Sequence, residues 1–378
     1  MTMAIDSQQY RWYERRRHGP LARGLHVDVP LLVGLLLLSA VGLIVLYSAS
    51  GQNMDVIVRQ LIRLTAGFAV LLVLAQIPPQ QVARWTPWLY GLGLFLLLAV
   101  LLMGEVGKGA QRWLDFGVVR FQPSEIMKVA VPMMVAWYLA ENPLPPSRRA
   151  LAAATLMIVI PTYLIARQPD LGTALLVASS GIFVLLFSGI SWRLVTTVVG
   201  CLGAAAPVLW YFLRDYQKQR VLTFLNPEND PLGAGYHIIQ SKIAIGSGGL
   251  YGKGWLNGTQ AHLDFLPERS TDFIFAVLAE EFGLIGILLL LLLYFFVVAR
   301  GLYIGTQAQS SFNRLVAGSL ILTFFVYVFV NIGMVTGLLP VVGLPLPLIS
   351  YGGTSLVTMM AAFGILMSIH THRRLLSS

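Results

Sequence analysis

The residues best suited to chemistry are the few ionisable side chains that lie inside or at the ends of long apolar runs. Glu125 and Lys128 stand three residues apart in one such run, so on a helix they share a face and can neutralise each other. Asp272 directly follows a long polar segment, at the start of another apolar run. These groups are candidates for proton transfer and anion binding. They also allow structural interpretations, an ion pair inside a helix bundle and an aspartate that caps a helix.

The composition identifies the elements that must position these groups. Of the 378 residues, 56% are hydrophobic and only 11% are charged, whereas a soluble domain has about 25% charged residues. A single cysteine, Cys201, excludes a disulfide framework and a multi-cysteine metal site. The chain is therefore predicted to be a polytopic membrane protein of the all-α class.

Charge-free runs predict where the helices lie. A hydrocarbon core about 30 Å thick needs roughly 20 apolar residues per helix. We predict ten transmembrane helices, the last two separated at Pro340, Pro345 and Pro347. The predicted spans are Val29 to Met54, Leu64 to Ala83, Trp85 to Gly104, Ser124 to Ala140, Ala150 to Ala166, Leu171 to Trp192, Leu194 to Leu213, Phe273 to Ala299, Leu315 to Leu339 and Ser350 to Ile369.

The distribution of arginine predicts the orientation. Basic residues concentrate in residues 1–28, in the loops after the even-numbered helices and in the tail, residues 371–378. By the positive-inside rule both termini are cytoplasmic. One ten-helix domain then covers residues 29–370, and its large extracytoplasmic loop, residues 214–271, joins the seventh and eighth helices.

This exported loop is itself basic. Its charges fit an anionic substrate, but they equally fit lipid headgroups or simple solvation. Nucleic acid is not expected on that face. The basic residues are Arg214, Lys218, Arg220, Lys242, Lys253 and Arg269.

Three further features carry weaker signals. The glycine-rich stretch from Gly246 to Gly254 lacks the spacing of a nucleotide-binding P-loop, although its backbone amides are candidates for approaching a pyrophosphate. Glu280 and Glu281 are adjacent, so they diverge on a helix, and we interpret them as mainly structural. His370 and His372 are too few to define a metal site.

Longer motifs are distributed along the chain. They are Gln111-Arg-Trp-Leu, Arg120-Phe-Gln-Pro-Ser-Glu-Ile-Met-Lys128, Gln168-Pro-Asp-Leu-Gly-Thr173, the loop through Asp272, and Gly337-Leu-Leu-Pro with Pro345-Leu-Pro-Leu-Ile-Ser-Tyr-Gly-Gly353. These motifs resemble those of the SEDS family (shape, elongation, division and sporulation), and the resemblance covers all but about the first 25 residues. Within that family, two segments are similar to the elongation member rather than the division member, Gly235-Tyr-His-Ile-Ile-Gln-Ser-Lys242 and Val341-Val-Gly-Leu-Pro-Leu-Pro347.

The resemblance implies a peptidoglycan glycosyltransferase of the bacterial cytoplasmic membrane. Such an enzyme polymerises lipid II into glycan at the outer face during cell elongation, among membrane lipids, with a class B penicillin-binding protein of the penicillin-binding protein 2 type as partner. The essential acid of the family corresponds to Asp272, and its Glu-x-x-Lys pair to Glu125 and Lys128.

The implied reaction assigns roles to these residues. Asp272 is expected to deprotonate the acceptor 4-hydroxyl, which attacks the donor's anomeric carbon with inversion and expels undecaprenyl pyrophosphate. Lys128, other cationic side chains or a divalent cation, Mg²⁺ or Mn²⁺, would neutralise the leaving group; no metal site is identified. Residues expected to bind substrate are Arg112, Trp113, Arg120, Arg220, Lys242, Arg269 and Ser350.

Two other functions stay open at this point. Ten helices with charges at membrane depth and a lipid-linked substrate equally describe a lipid II flippase. A non-catalytic scaffold for the partner is the third candidate. The concentration of motifs on the exported side favours the enzyme over the flippase, and the charges inside the bundle argue against a scaffold.

Overall fold

The computed structural model describes residues 25–103, 105–107, 110–115, 120–212, 215–230, 233–262, 266 and 268–373. The chain is helical throughout its apolar part. The helices in chain order are α1 Val29–Ala49, α2 Met54–Gln76, α3 Pro79–Met103, α4 Pro123–Ala140, α5 Arg148–Arg167, α6 Leu171–Phe187, α7 Trp192–Phe212, α8 Asp215–Leu225, α9 Ala234–Ser247, α10 Thr259–His262, α11 Ile274–Thr306, α12 Ser311–Val335 and α13 Thr354–Thr371, with a 3₁₀ turn at Pro227–Asn229.

Seven of the described helices are long and apolar enough to cross a membrane, namely α1, α2, α3, α5, α11, α12 and α13. The prediction of an all-α polytopic membrane protein is confirmed at this level. The remaining three predicted spans coincide with α4, α6 and α7.

The start of α2 differs from the prediction. The helix begins at Met54 rather than Leu64, because it includes Arg59 and Arg63, which interrupt the charge-free run. The guanidinium of Arg63 lies 4.2 Å from the centre of the Tyr351 ring. A charge that is held against an aromatic face does not end a helix, so the charge-free criterion placed this boundary too late.

A small antiparallel sheet follows α3 and was not predicted. Its strands are β1 Glu105–Gly107, β2 Ala110–Asp115 and β3 Arg120–Phe121, in the order β1-β2-β3. The sheet leads directly into α4, where Pro123 occupies the first turn of the helix and lacks the amide proton that would otherwise need a partner.

The amino-terminal end of α1 is fixed by a buried carboxylate. Asp28 caps the helix by accepting from the Leu31 amide at 2.9 Å, and it pairs with Arg300 at 2.6 Å and His370 at 2.6 Å. Burial raises the pKa of this carboxyl, but the hydrogen bonds from His370 and Arg300 outweigh burial and hold the pKa well below its usual range. The ends of α1, α11 and α13 therefore meet at one ionic junction, and His370 belongs to it.

Helices α4 and α12 form the interior of the bundle. Most residues of both helices are buried, whereas α3 and α11 expose many large apolar side chains that suit a lipid environment. Charged groups on α4 are consequently enclosed by protein. They must be neutralised there, because an unpaired charge in a low-dielectric interior is costly.

Candidate active site

Asp272 lies, half-buried, in the turn that precedes α11. The helix begins at Ile274, and Phe273 rather than Asp272 occupies the capping position. A Cβ added to Gly343 would lie 3.5 Å from Oδ2 of Asp272. The carboxylate therefore lies against the loop that connects α12 to α13.

Asn331 on α12 fixes the backbone at Asp272. Its Nδ2 donates to the Asp272 carbonyl at 2.9 Å and to the Leu344 carbonyl at 2.6 Å, and the side chain is fully buried. One amide group thus joins the turn before α11 to the α12–α13 loop. Asn331 was not predicted from the sequence, because a lone asparagine in an apolar run has no local feature that reveals its partners.

Removing this amide should disturb the carboxylate that it positions. We expect Asn331→Leu to lower the activity that depends on Asp272 at least about tenfold, because two carbonyl groups lose their donor and the turn can shift. Activity per folded protein, measured beside thermal stability, checks this. Asn313→Leu, in the first turn of the same helix, is the control, and unchanged activity in Asn331→Leu would contradict the positioning role.

Ser350 secures the same turn from the opposite side. Its hydroxyl donates to the Thr271 carbonyl at 2.5 Å and accepts from the Leu346 amide at 2.7 Å. The Tyr351 amide donates to the Ser270 carbonyl at 2.8 Å. Ser350 was expected to bind substrate, but its hydroxyl is buried and bonded to backbone groups of the site.

The Glu125–Lys128 pair lies in the bundle interior. Nζ of Lys128 is 2.8 Å from Oε1 of Glu125, and both residues are less than one-tenth exposed. The prediction that they share a face of one helix and neutralise each other is confirmed. Nζ also lies 4.8 Å from the centre of the Tyr327 ring, whose hydroxyl is 3.1 Å from Oγ of Ser355. Oε2 of Glu125 is buried and has no hydrogen-bond partner within the described part of the chain.

The start of α6 supports this part of α4. Asp170 caps α6 by accepting from the Thr173 amide at 3.2 Å, and its other carboxylate oxygen accepts from Nε2 of Gln122 at 3.0 Å. Gln168 donates to the Leu97 carbonyl at 3.0 Å. The motif from Gln168 to Thr173 thus anchors three helices around the ion pair.

Helix α12 brings the two candidate catalytic groups to one side of the bundle. Tyr327, which faces Lys128, and Asn331, which holds Asp272, are four residues apart and therefore share a helix face. The separation along the axis is about 6 Å. Asp272 and Lys128 are 144 residues apart in sequence, and α12 is the element that aligns them.

Two neighbouring hollows, which we together name the groove, lie between these groups. A cleft of about 460 Å³ lies between α4, α12 and α13, and a second hollow of about 260 Å³ extends to the α12–α13 loop. Ser355 and Met359 line both hollows, and the second is also lined by Ser350, which bonds to the turn that carries Asp272. The cleft is lined by Glu125, Lys128, Val129, Leu320, Thr323, Phe324, Tyr327, Ser355, Thr358, Met359, Ala362, Phe363 and Leu366.

The comparison with known families agrees with this architecture. The FtsW/RodA/SpoVE model, described as "Cell cycle protein", matches residues 29–375. The chain belongs to this family. The resemblance to the SEDS proteins is thereby confirmed.

Relatives match along nearly their whole length. The chain is 58% identical over 354 residues to the peptidoglycan glycosyltransferase MrdB of Escherichia coli strain K12, covering 93% of this chain and 96% of that protein. It is 36% identical to the stage V sporulation protein E of Bacillus subtilis strain 168, covering 92% and 98% of the two chains.

Solved structures share the fold. A chain from a study of how a peptidoglycan synthase complex coordinates polymerization and crosslinking matches with a TM-score of 0.81 at 32% identity, covering 92% of this chain and 99% of that chain. The rod shape determining protein RodA of Thermus thermophilus matches with a TM-score of 0.70 at 28% identity, covering 91% and 96%.

The other expected substrate-binding residues lie at different distances from the groove. Arg269 is in the turn that carries Asp272, while Arg220 on α8 and Lys242 on α9 lie outside the groove lining. Lys242 is exposed, and its Nζ lies 2.8 Å from the point that a Cβ would occupy if Gly337 carried a side chain. Trp113 is half-buried in β2. The side chains of Arg112 and Arg120 are not among those that the structure describes.

The glycine-rich stretch packs against a helix. Helix α11 is broken at Gly283, where φ is +62°, and a Cβ on Gly252 would overlap the Glu281 carbonyl. A Cβ on Gly248 would overlap the Ala279 carbonyl. For Gly248 and Gly252 the suggestion that the glycines admit a pyrophosphate is therefore wrong, because these two admit the backbone of α11 instead.

A glycine substitution tests this correction. Gly252→Ala should lower thermal stability, because φ is +79° and the new methyl group would overlap backbone. Gly246→Ala, in the same stretch but with open space around it, is the control. A Gly252→Ala protein with normal stability and lost activity would restore the substrate-binding interpretation.

The neighbouring acidic residues are structural, as expected. Oε1 of Glu280 accepts from Lys253 at 2.7 Å and from Thr259 at 2.9 Å, and the Gln260 amide lies 3.1 Å away. Glu281 accepts from the hydroxyl of Ser48. Lys253 is thus engaged with Glu280, and this basic residue of the exported loop has a partner within the protein.

Proposed function

We propose that this chain is a peptidoglycan glycosyltransferase that polymerises lipid II into β-1,4 glycan strands for cell elongation and rod shape. The groove between Ser350, which holds the Asp272 turn, and the Lys128–Glu125 pair is the observation that carries the proposal. Together with Asp272 it offers a carboxylate, a buried cation and a long apolar wall, which suit a substrate with a sugar, a pyrophosphate and a lipid chain. Relatives that share nearly the whole chain bear the same activity in their names.

In this mechanism Asp272 is the general base. Its carboxylate accepts the proton from the 4-hydroxyl of the acceptor sugar, and the oxygen attacks the anomeric carbon of the donor. The bond from that carbon to the pyrophosphate oxygen breaks, and undecaprenyl pyrophosphate leaves with the electron pair. The Asn331 and Ser350 hydrogen bonds keep the turn in place, so that little reorganisation is needed as the proton moves.

Lys128 supplies positive charge to the leaving group. Its ammonium lines the cleft beside Glu125, and the apolar walls from α12 and α13 exclude water, which strengthens electrostatic interactions inside. Oε2 of Glu125, which has no hydrogen-bond partner among the residues that the structure describes, lies in the same buried cluster. We assign the Phe324, Phe363 and Leu366 side of the cleft to the prenyl chain.

A divalent cation carried with the pyrophosphate is a second source of positive charge. Within the described part of the chain, no group of three or more His, Cys, Asp and Glu residues is placed to hold one. We therefore derive no step through a metal ion.

The proposed topology has ten membrane helices, α1 to α7 and α11 to α13, with both termini in the cytoplasm. The long connection between α7 and α11, which contains α8, α9 and α10, then belongs to the extracytoplasmic side together with Asp272. A class B penicillin-binding protein is the proposed partner. A related chain comes from a peptidoglycan synthase complex in which polymerization and crosslinking are coordinated, which supports this assignment.

Synthesis of glycan from labelled lipid II tests the proposal. The purified chain with its co-purified penicillin-binding partner, in detergent without nucleotide, should give a ladder of polymer on a gel. If no ladder forms while the partner retains transpeptidase activity, the proposal fails. Translocation of lipid II by the same protein in proteoliposomes would then identify a flippase.

A further inference from the structure

Residues 248–257 of the exported connection, which we name the re-entrant segment, are joined to the break in α11. The Lys253 and Gly254 amides donate to the carbonyls of Glu280 and Glu281, both at 3.0 Å. In the other direction, the Leu284 amide donates to Gly249 and the Ile285 amide to Leu250, at 3.0 and 3.2 Å. Irregular backbone is tolerated at membrane depth only when protein satisfies its hydrogen bonds, and the opened helix does so here.

Two helices show how deep the segment lies. The indole of Trp255 donates to the Ile44 carbonyl at 3.2 Å, five residues before the end of α1, which corresponds to about 7 Å along the axis. Helix α1 has 21 residues and is about 31 Å long, close to the thickness of the hydrocarbon core. Trp255 therefore lies several ångströms inside the level at which α1 leaves the membrane.

The part of α11 after its break at Gly283 gives a similar depth. Arg300 pairs with Asp28, so it lies near the level at which α1 begins. Leu284 is 16 residues before Arg300, about 24 Å along the helix axis, whereas the hydrocarbon core is about 30 Å thick. The backbone of Gly249 and Leu250, bonded to Leu284 and Ile285, is therefore about 6 Å inside the hydrocarbon boundary.

The side chains at this depth are large, apolar and exposed. Tyr251 is 80% exposed, Leu250 60% and Trp255 46%. They continue the exposed surface of the two helices that hold them, formed there by Ile44, Leu284 and Ile285. The charge of Lys253, which lies between them in sequence, is compensated by Glu280 at 2.7 Å.

We infer that the re-entrant segment is embedded in the membrane leaflet where α1 ends and α11 begins, and that Leu250, Tyr251 and Trp255 contact lipid there. Tyrosine and tryptophan are suited to this depth, because their rings are apolar and each carries one polar group. The indole N–H of Trp255 is satisfied by the Ile44 carbonyl. The segment thus anchors the exported connection in the bilayer. It also stabilises the broken part of α11, which follows Asp272 in the chain and lies deeper in the membrane. This inference uses the proposed topology but not the proposed reaction.

A nitroxide spin label at position 251 tests this placement. The single cysteine is first removed by Cys201→Ser, and Tyr251→Cys is labelled in the full chain without its partner. The protein is reconstituted in phosphatidylethanolamine–phosphatidylglycerol vesicles. Power saturation then compares collisions of the label with oxygen, which partitions into lipid, and with a water-soluble nickel chelate. We expect preferential collision with oxygen.

Two labelled positions calibrate the result. Leu288→Cys on the exposed face of α11 reports hydrocarbon, and Glu228→Cys in the exposed 3₁₀ turn reports water. Position 251 should resemble 288. Accessibility like that of 228, or protection that requires the penicillin-binding protein, would overturn the inference. Leu250→Cys repeats the measurement at the neighbouring exposed residue, in case the label at 251 disturbs the fold.

Discussion

Asp272→Asn is expected to reduce glycan synthesis at least about 100-fold while the protein still folds and binds its partner. The substitution is nearly isosteric, and the contacts that fix the turn use the backbone carbonyls of Asp272 and Thr271, which the change leaves in place. An amide cannot accept the proton of the attacking hydroxyl, and general base catalysis typically contributes about 10²- to 10⁴-fold. Polymer from labelled lipid II, followed over time for the purified complexes, measures the effect.

The control for this experiment is Asp215→Asn. Asp215 is exposed at the start of α8 in the same exported connection, so its change removes one negative charge without touching the site. Co-purification of the partner and an unchanged melting temperature show that the variant is folded. Polymer synthesis retained in folded Asp272→Asn protein would refute the assignment of Asp272 as the base.

Lys128→Met is expected to cause the second largest loss, at least about tenfold in polymer synthesis. Breaking a buried ion pair by removing one partner typically costs about 3–5 kcal/mol, because the remaining charge is left unpaired. Glu125 is buried, so the variant will lose stability together with any loss of catalytic activity. Activity per folded complex and thermal stability must therefore be measured together, with Lys218→Met on α8 as the control.

A charge-neutral double variant separates the two roles of Lys128. In Glu125→Gln with Lys128→Met no unpaired charge remains in the cleft, so stability should largely return. If Lys128 neutralises the leaving pyrophosphate, synthesis stays low in the stable double variant. Recovery of both stability and synthesis would show that the pair is structural, which was the alternative from the sequence.

Local features of the sequence were sufficient for the membrane class, most helix positions and the ion pair. Apolar runs and the three-residue spacing of Glu125 and Lys128 act within a few turns of one helix, where geometry follows from sequence separation alone. The family motifs directed attention to Asp272. The same local criteria misplaced the start of α2, because they could not show that Arg63 would lie against the ring of Tyr351, nearly 290 residues away.

Only the tertiary structure decided what surrounds the candidate base. Asn331 reaches the Asp272 carbonyl across 59 residues of sequence, and the groove requires α4, α12 and α13 to pack together. The glycine-rich stretch was ambiguous for the same reason. Its composition permits another group to approach the backbone closely, but only the packing of the bundle shows whether that group is a phosphate or a helix. Composition and spacing determine which groups are available, whereas contacts distant in sequence, set by the packing of the whole bundle, determine which of them meet.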